Sequence, residues 1–283
     1  MVAVSPDLSV TAEVSAALGG LRGRRPLVQC QTNIVVAGFT ANVLLAAGAS
    51  PAMVDDPEET AGFTPAADGL LINLGTLSRG RVVAFGVAAR AAAGVTPWVL
   101  DPVGAGALAV RTGVARDLLS QGPAVVRANA SEVLGLIDPD DPQLGGLLDG
   151  PPGRGVDSGV GSEAALSAAV ALARRHRCVV AVSGVVDLVT DGVTVVEVHG
   201  GHVLMTAVTG VGCALGALMA ALLPVAGTPL VAAVAATALL DAAGSRAAVA
   251  AAGPGSFAVG LVDQLATVDP AGVAAAVTVA VRR

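Results

Sequence analysis

Polar residues that can do chemistry close a series of apolar runs. Asn73 follows "LLI" and Asp101 follows "WVL". Arg127 and Asn129 follow "AVV" with Glu132 just beyond, and Ser183 follows "CVVAV". Asp101 and Glu132 are hard oxygen ligands of the kind that suits Mg²⁺, which keeps its waters and bridges phosphates. Each carboxylate also reads as a cap. Within "NASEVLGL", Asn129 fits an N-cap and Glu132 the N3 partner of a capping box. "DPVGAG" (101–106) admits a ligand close to its backbone, yet it is also ordinary turn chemistry.

A second group lies in "VTGVGCALGALMAALLP" (208–224). Gly210 and Gly212 permit tight turns and close approach just before an apolar helix. That helix offers free N–H groups and the positive end of its dipole, an anion hole suited to a phosphoryl group. No lysine follows, so this is not the Walker-type phosphate loop. Cys213 falls at the helix N-terminus, where a thiol pKa is lowered, or it is simply a small buried core residue. His199 and His202 form H-x-x-H without a third ligand nearby and read as part of a turn. Met53, after "PAMV", is a core methionine or the lining of an apolar pocket at a strand end.

The elements that must position these residues alternate. "LVQC" (27–30), "PAMV" (51–54), "GLLIN" (69–73), "PWVL" (97–100), "AVVRA" (124–128) and "CVVAV" (178–182) read as buried strands. Residues 35–48, 80–94 and 162–176 read as helices between them. The last has Ser162 and Glu163 at its start and a basic end. This alternation predicts an α/β fold with a mostly parallel sheet covered on both faces. Ligands in such sheets bind at the carboxyl ends of the strands, where the polar residues fall. Residues 187–206 break the rhythm with "TDGV" and "HGGH" and predict a short antiparallel meander at the sheet edge. Residues 138–159, rich in Gly, Pro and Asp, predict a surface loop. The first ~20 residues read as a leading helix, and no linker divides the single domain expected over 1–283.

Of 283 residues, 54% are hydrophobic and 13% charged, with a net charge of -6. The length supports a substantial core, and the negative balance without a basic stripe argues against nucleic acid. Cys30, Cys178 and Cys213 are far apart and odd in number, favouring reduced thiols in the cytoplasm. The N-terminal stretch lacks a basic region followed by an apolar core, so a secretory signal is not expected. The uncharged run from Thr206 to Leu240 is long enough for a membrane. Its glycines, Pro224 and "AGTP" (226–229) cut it instead into two buried helices joined by a turn.

These blocks together resemble the hydroxyethylthiazole kinase family of the ribokinase-like superfamily, from about Pro26 to Leu265. The matching blocks are "GFTANVLLAAGASPAM" (38–53), "LLINLGTLS" (70–78), "VLDPVGAGA" (99–107), "VVRANASE" (125–132), "GVDS" (155–158), "VVAVSGVVDLVTDG" (179–192), "VTGVGCALGA" (208–217) and "GPGSF" (253–257). The resemblance implies a ribokinase-like fold and ATP- and Mg²⁺-dependent phosphorylation of the primary alcohol of 4-methyl-5-(2-hydroxyethyl)thiazole in thiamine salvage. It implies that Met53 contacts the thiazole through its backbone with Asn33 nearby, and that Arg127 and Ser183 bind ATP. Asp101 and Glu132 would order Mg²⁺ and the phosphates. Gly210 would bind substrate within the anion hole it forms with Gly212, and Cys213 would stand beside the reacting hydroxyl. A homotrimer with active sites at subunit interfaces is implied as well. The chain departs from the family at Ala128, where a glycine is usual, and at Val185, where a glutamate is common. Gln29 and Gln31 stand where His and an apolar residue are usual. Two rival functions are a ribokinase-like dehydratase of hydrated nicotinamide cofactors and a non-catalytic thiazole- or nucleotide-binding protein.

Overall fold

A computed structural model describes residues 7–141, 145 and 161–282. Nine strands form one sheet: β1 (Leu27–Gln31), β2 (Ser50–Ala52), β3 (Gly69–Asn73), β4 (Trp98–Asp101), β5 (Val125–Asn129), β6 (Val179–Ser183), β7 (Asp187–Thr190), β8 (Val195–His199) and β9 (Thr278–Val281). Their spatial order is β2-β1-β3-β4-β5-β6-β7-β8-β9. Pairing is parallel from β2 through β6 and antiparallel from β6 to β9. The six predicted strands are all present, shifted by at most about two residues at either end.

The sheet is buried on both faces because its strands are apolar at successive positions. Val28, Cys30, Leu71, Val99, Val125 and Val179 point into a core shared with α1 (Leu8–Arg24), α2 (Ala37–Ala47), α8 (Val211–Leu222), α9 (Pro229–Ala250) and α10 (Pro254–Thr267). Leu70, Ile72, Trp98, Leu100, Val126 and Val180 point the other way. There they meet α4 (Arg79–Ala92), α5 (Ala109–Leu119), α6 (Ala130–Leu136) and α7 (Leu166–His176). Two short helices, α3 (Pro57–Phe63) and α11 (Pro270–Ala276), complete the described helices. Prolines set several starts: Pro57, Pro229, Pro254 and Pro270 each open a helix, where the missing N–H costs nothing.

The run from 206 to 240 folds into two helices, Val211–Leu222 and the start of Pro229–Ala250, with a turn between them, as its glycines and Pro224 predict. α9 is the one helix among the described residues long and apolar enough to cross a bilayer, and 83% of its apolar window is buried inside the protein. It is a core helix packed on α8 and α10. α8 buries Leu215, Leu218, Met219 and Leu222. At roughly 2 kcal/mol per large side chain, these anchor the glycine turn at its start.

The structure departs from expectation at three places. The antiparallel edge has a third strand, β9, contributed by a tail whose "TVAV" is too short to stand out from its alanine-rich surroundings. Residues 203–207 form a 3₁₀ turn in place of a strand. The helix expected over 162–176 starts only at Leu166: residues 162–165 form a separate 3₁₀ turn, and the Ser162 hydroxyl donates to the Val186 carbonyl at 2.6 Å. The loop expected at 138–159 falls, beyond Asp141 and apart from Gly145, outside the described residues, as does the "GVDS" block.

Candidate active site

The carboxyl ends of β1, β3, β4, β5 and β6 converge on the N-terminus of α8. Asn73 ends β3 and Asp101 ends β4, and the two are register partners on adjacent strands. The Asn73 amide donates to Asp101 Oδ2 at 2.7 Å. Its Oδ1 accepts from Asn33 Nδ2 at 3.0 Å and from the Gly75 N–H at 3.0 Å. Asn33 Nδ2 also lies 3.5 Å from Cys213 Sγ. A continuous chain therefore runs from the thiol through two amides to the carboxylate.

Asp101 is completely buried, and its Oδ1 has no hydrogen-bond partner. Arg127 Nη1 stands 3.8 Å from that oxygen. Burial pushes the carboxyl up to about 7; Glu132 adds to the rise, and Arg127 and Asn73 oppose it. An orphaned buried carboxylate oxygen beside a guanidinium is an unfinished electrostatic arrangement. It is the donor chemistry a hard divalent cation satisfies.

Glu132 serves the capping role its sequence allowed. Asn129 Oδ1 accepts from the Glu132 N–H and Glu132 Oε2 accepts from the Asn129 N–H, both at 2.9 Å, which completes the capping box. Its Oε1 accepts from the Gly104 N–H at 2.9 Å, tying the "DPVGAG" loop to α6. Burial raises its carboxyl pKa, against the opposing pull of Arg127 and of the Asn129 and Gly104 N–H groups. Among the described residues no cluster of three His, Cys, Asp or Glu side chains assembles as a metal cage. One or two carboxylates completed by phosphate oxygens is the usual Mg²⁺ arrangement.

Arg127 Nη2 donates to Ser183 Oγ at 2.9 Å, joining the ends of β5 and β6. Its Nε is buried without a partner. Gly212 explains how the guanidinium fits: a Cβ there would lie 2.6 Å from Arg127 Nη2 and 2.9 Å from Cζ. Gly210 is the N-cap of α8 with φ +95°, and a Cβ would strike Val36 at 2.6 Å. No side chain caps this helix end, so its first N–H groups remain available to an anion.

Cys213 is partly buried in the first turn of α8. The lowered thiol pKa expected of a helix N-terminus is not what its surroundings produce. Burial and Asp101 push it up to about 11, against the opposing pull of Arg127, Asn73 and Asn33. A helix end contributes only ~0.3–1 kcal/mol, less than burial of the thiol beside a carboxylate costs its charged form. Cys30 and Cys178 are buried in the core, both pushed up to about 12, and all three cysteines are free. His199 bonds Glu197 and His202 accepts from the Leu204 N–H, so the H-x-x-H pair is divided between separate partners.

Met53 lies beyond β2 at the sheet edge and is 39% exposed. It shares the carboxyl end of the sheet with the other residues, but no hydrogen bond joins it to the Asn33–Asp101 chain. Sequence reasoning missed two features. Asn73 was visible as a strand-end polar residue, but its bridging role depends on strand register. Asp187, at the start of β7, faces Asp241, in the middle of α9. Burial pushes Asp187 up to about 6 despite the Gly184 N–H, Asp241 and Arg127. Asp241 is raised well above the usual carboxylate range, again first by burial and then by Asp187. Two buried carboxyls coupled in this way are expected to share one proton. A lone aspartate inside "ALLDAAG" gave no hint of that partner.

The model of the "Hydroxyethylthiazole kinase family" matches residues 18–271. The hydroxyethylthiazole kinase of Kineococcus radiotolerans is 53% identical over 271 residues, covering 95% of this chain and 94% of its own. The solved structure of a hydroxyethylthiazole kinase protein from Pyrococcus horikoshii superposes with a TM-score of 0.84 at 36% identity, covering 95% of this chain and 99% of that one. A ribokinase-like superfamily protein from Enterococcus faecalis, 14% identical, shares the fold with a TM-score of 0.58 over 93% of this chain and 91% of that one.

Proposed function

This chain belongs to the hydroxyethylthiazole kinase family and phosphorylates a thiazole alcohol, and we propose that ATP donates the γ-phosphoryl group at the N-terminus of α8. The observation that carries this reading is the fully buried Asp101, with one oxygen unpartnered, beside Arg127 and an uncapped helix N-terminus. Such a site is built to receive a polyanion together with a cation.

Phosphoryl transfer depends on positioning and charge stabilisation more than on covalent chemistry. The amides of the Gly210–Gly212 turn hold the γ-phosphoryl oxygens. Arg127, oriented by Ser183, contacts the nucleotide phosphates. Asp101 and Glu132 would hold Mg²⁺, which when bound would supply positive charge against the phosphates. Asn33 and Cys213 stand beside the substrate hydroxyl, and the main chain at Met53 lines the thiazole pocket. With its pKa pushed up to about 11, the Cys213 thiol stays protonated near neutral pH. Its role is to orient the hydroxyl, with a minor share of proton removal. The loose transition state of phosphoryl transfer makes that sufficient.

The 1–283 chain acts as one kinase domain in cytoplasmic thiamine salvage. Ile34 and Val35, adjoining Asn33, are 80% and 65% exposed. An apolar surface beside the substrate residues supports a homotrimer in which a neighbouring subunit closes the pocket. Neither rival activity is favoured by the relatives. A coupled ADP-release assay tests the reading: release requires the thiazole alcohol, fails with hydroxymethylpyrimidine, stops on adding EDTA and resumes with Mg²⁺. Release independent of the alcohol, or none at all, overturns it.

A further inference from the structure

β1 carries two glutamines that are completely buried, Gln29 and Gln31. Val28 and Cys30 alternate with them and point into the α8 core. The glutamines face the opposite side, where α3 and the turn Thr64–Ala66 lie over the strand. Gln31 Nε2 donates to Thr60 Oγ1 at 2.9 Å. Gln29 Nε2 donates to the Val54 carbonyl at 2.9 Å, and its Oε1 accepts from Thr64 Oγ1 at 2.7 Å. A carbonyl can only accept, so this pair of bonds fixes which end of the amide points where.

The position of this contact gives it a function. Backbone pairing between β1 and β2 stops at Gln29 and Ala52. The next two residues, Met53 and Val54, leave the sheet just where the substrate wall is read. Gln29 extends the attachment by one more bond, made by a side chain. On the outer side, Arg81 Nη1 holds Asp55 at 3.6 Å while Nη2 donates to the Thr32 carbonyl. The Met53–Asp55 segment is thus tethered from within and from without.

We infer that Gln29, oriented by Thr64, is a positioning residue that fixes the Met53–Val54 main chain and so sets affinity for the thiazole alcohol and not for ATP. This rests on the reading of Met53 as substrate wall. Gln29→Leu removes the tether at similar volume. Thr64 keeps an acceptor in the Thr60 carbonyl at 2.9 Å, so the loss falls on Val54. Thr64→Val removes the group that orients the amide, and Met53→Trp adds bulk to the wall itself.

The experiment measures initial rates with each substrate varied at saturating levels of the other. Thermal melting confirms that each variant is folded. The expected result for Gln29→Leu is a KM for the alcohol raised about tenfold, with kcat and the KM for ATP within about threefold. Thr64→Val moves the same way by a smaller factor. Folded Gln29→Leu with an unchanged KM for the alcohol, or with both KM values raised together, overturns the inference. If Gln29→Leu does not fold, an unchanged KM for the alcohol in Thr64→Val does so. Met53→Trp separates the two readings. If it raises the KM for the alcohol while the other variants do not, only the Gln29 inference fails. If it too is silent, the substrate-wall reading has failed.

Discussion

Gly212→Ala is the sharpest test of how the site is built. The added Cβ would lie 2.6–2.9 Å from the Arg127 guanidinium. Ordinary contact is about 3.5 Å, so the guanidinium must retreat by nearly 1 Å. A side-chain tip can do this cheaply, and alanine favours the helix by ~0.5–1 kcal/mol over glycine. The fold is therefore expected to survive with little change in Tm. The retreat is costly to function, because Arg127 then loses its 2.9 Å bond to Ser183 and its alignment with Asp101. A hydrogen bond involving a charged group is worth ~1.5–3 kcal/mol, equivalent to roughly 10- to 100-fold in kcat/KM. Steady-state kinetics should show that loss with ATP as the varied substrate. Gly216→Ala is the control: its Cβ would meet Leu71 at 3.1 Å and Asp101 only at 3.6 Å, so a few-fold effect is expected. Unchanged kcat/KM for ATP in Gly212→Ala, or equal damage from both variants, would refute the reasoning.

Two further predictions follow from ionisation. Cys213→Ala should retain measurable turnover and Cys213→Asp should preserve or raise it, since the thiol orients more than it deprotonates; zero turnover in both would defeat that role. The Asp187–Asp241 pair should make stability depend on pH. Folded-state pKa values raised above the unfolded ones contribute stability fully present below about pH 4, and this is lost as pH rises through the folded value, about 6 for Asp187. Asp241→Asn replaces the shared proton with an amide donor, so its Tm relative to wild type should rise between pH 5 and 8, by about 2–4 °C for each kcal/mol relieved. A wild-type-minus-variant Tm difference that stays flat over this range would contradict the shared proton.

The sequence by itself determined the parallel part of the sheet, because every strand in it but β2 is a short, largely apolar run that ends in a polar residue. It determined the two-helix reading of 206–240 as well, since glycines and Pro224 interrupt the apolar run whatever surrounds it. The family was legible in the order of its blocks. Local pattern also sufficed for the Asn129–Glu132 capping box, whose partners are three residues apart. Tertiary structure decided what depends on neighbours distant in the chain. β9 becomes a strand because β8 offers an unpaired edge. The Asn33–Asn73–Asp101 chain exists because β1, β3 and β4 lie side by side in register. The Cys213 thiol illustrates the difference most directly. Its sequence position at a helix N-terminus argues for a lowered pKa, but burial and Asp101 raise it, because desolvation and a nearby carboxylate outweigh the dipole of a single helix end.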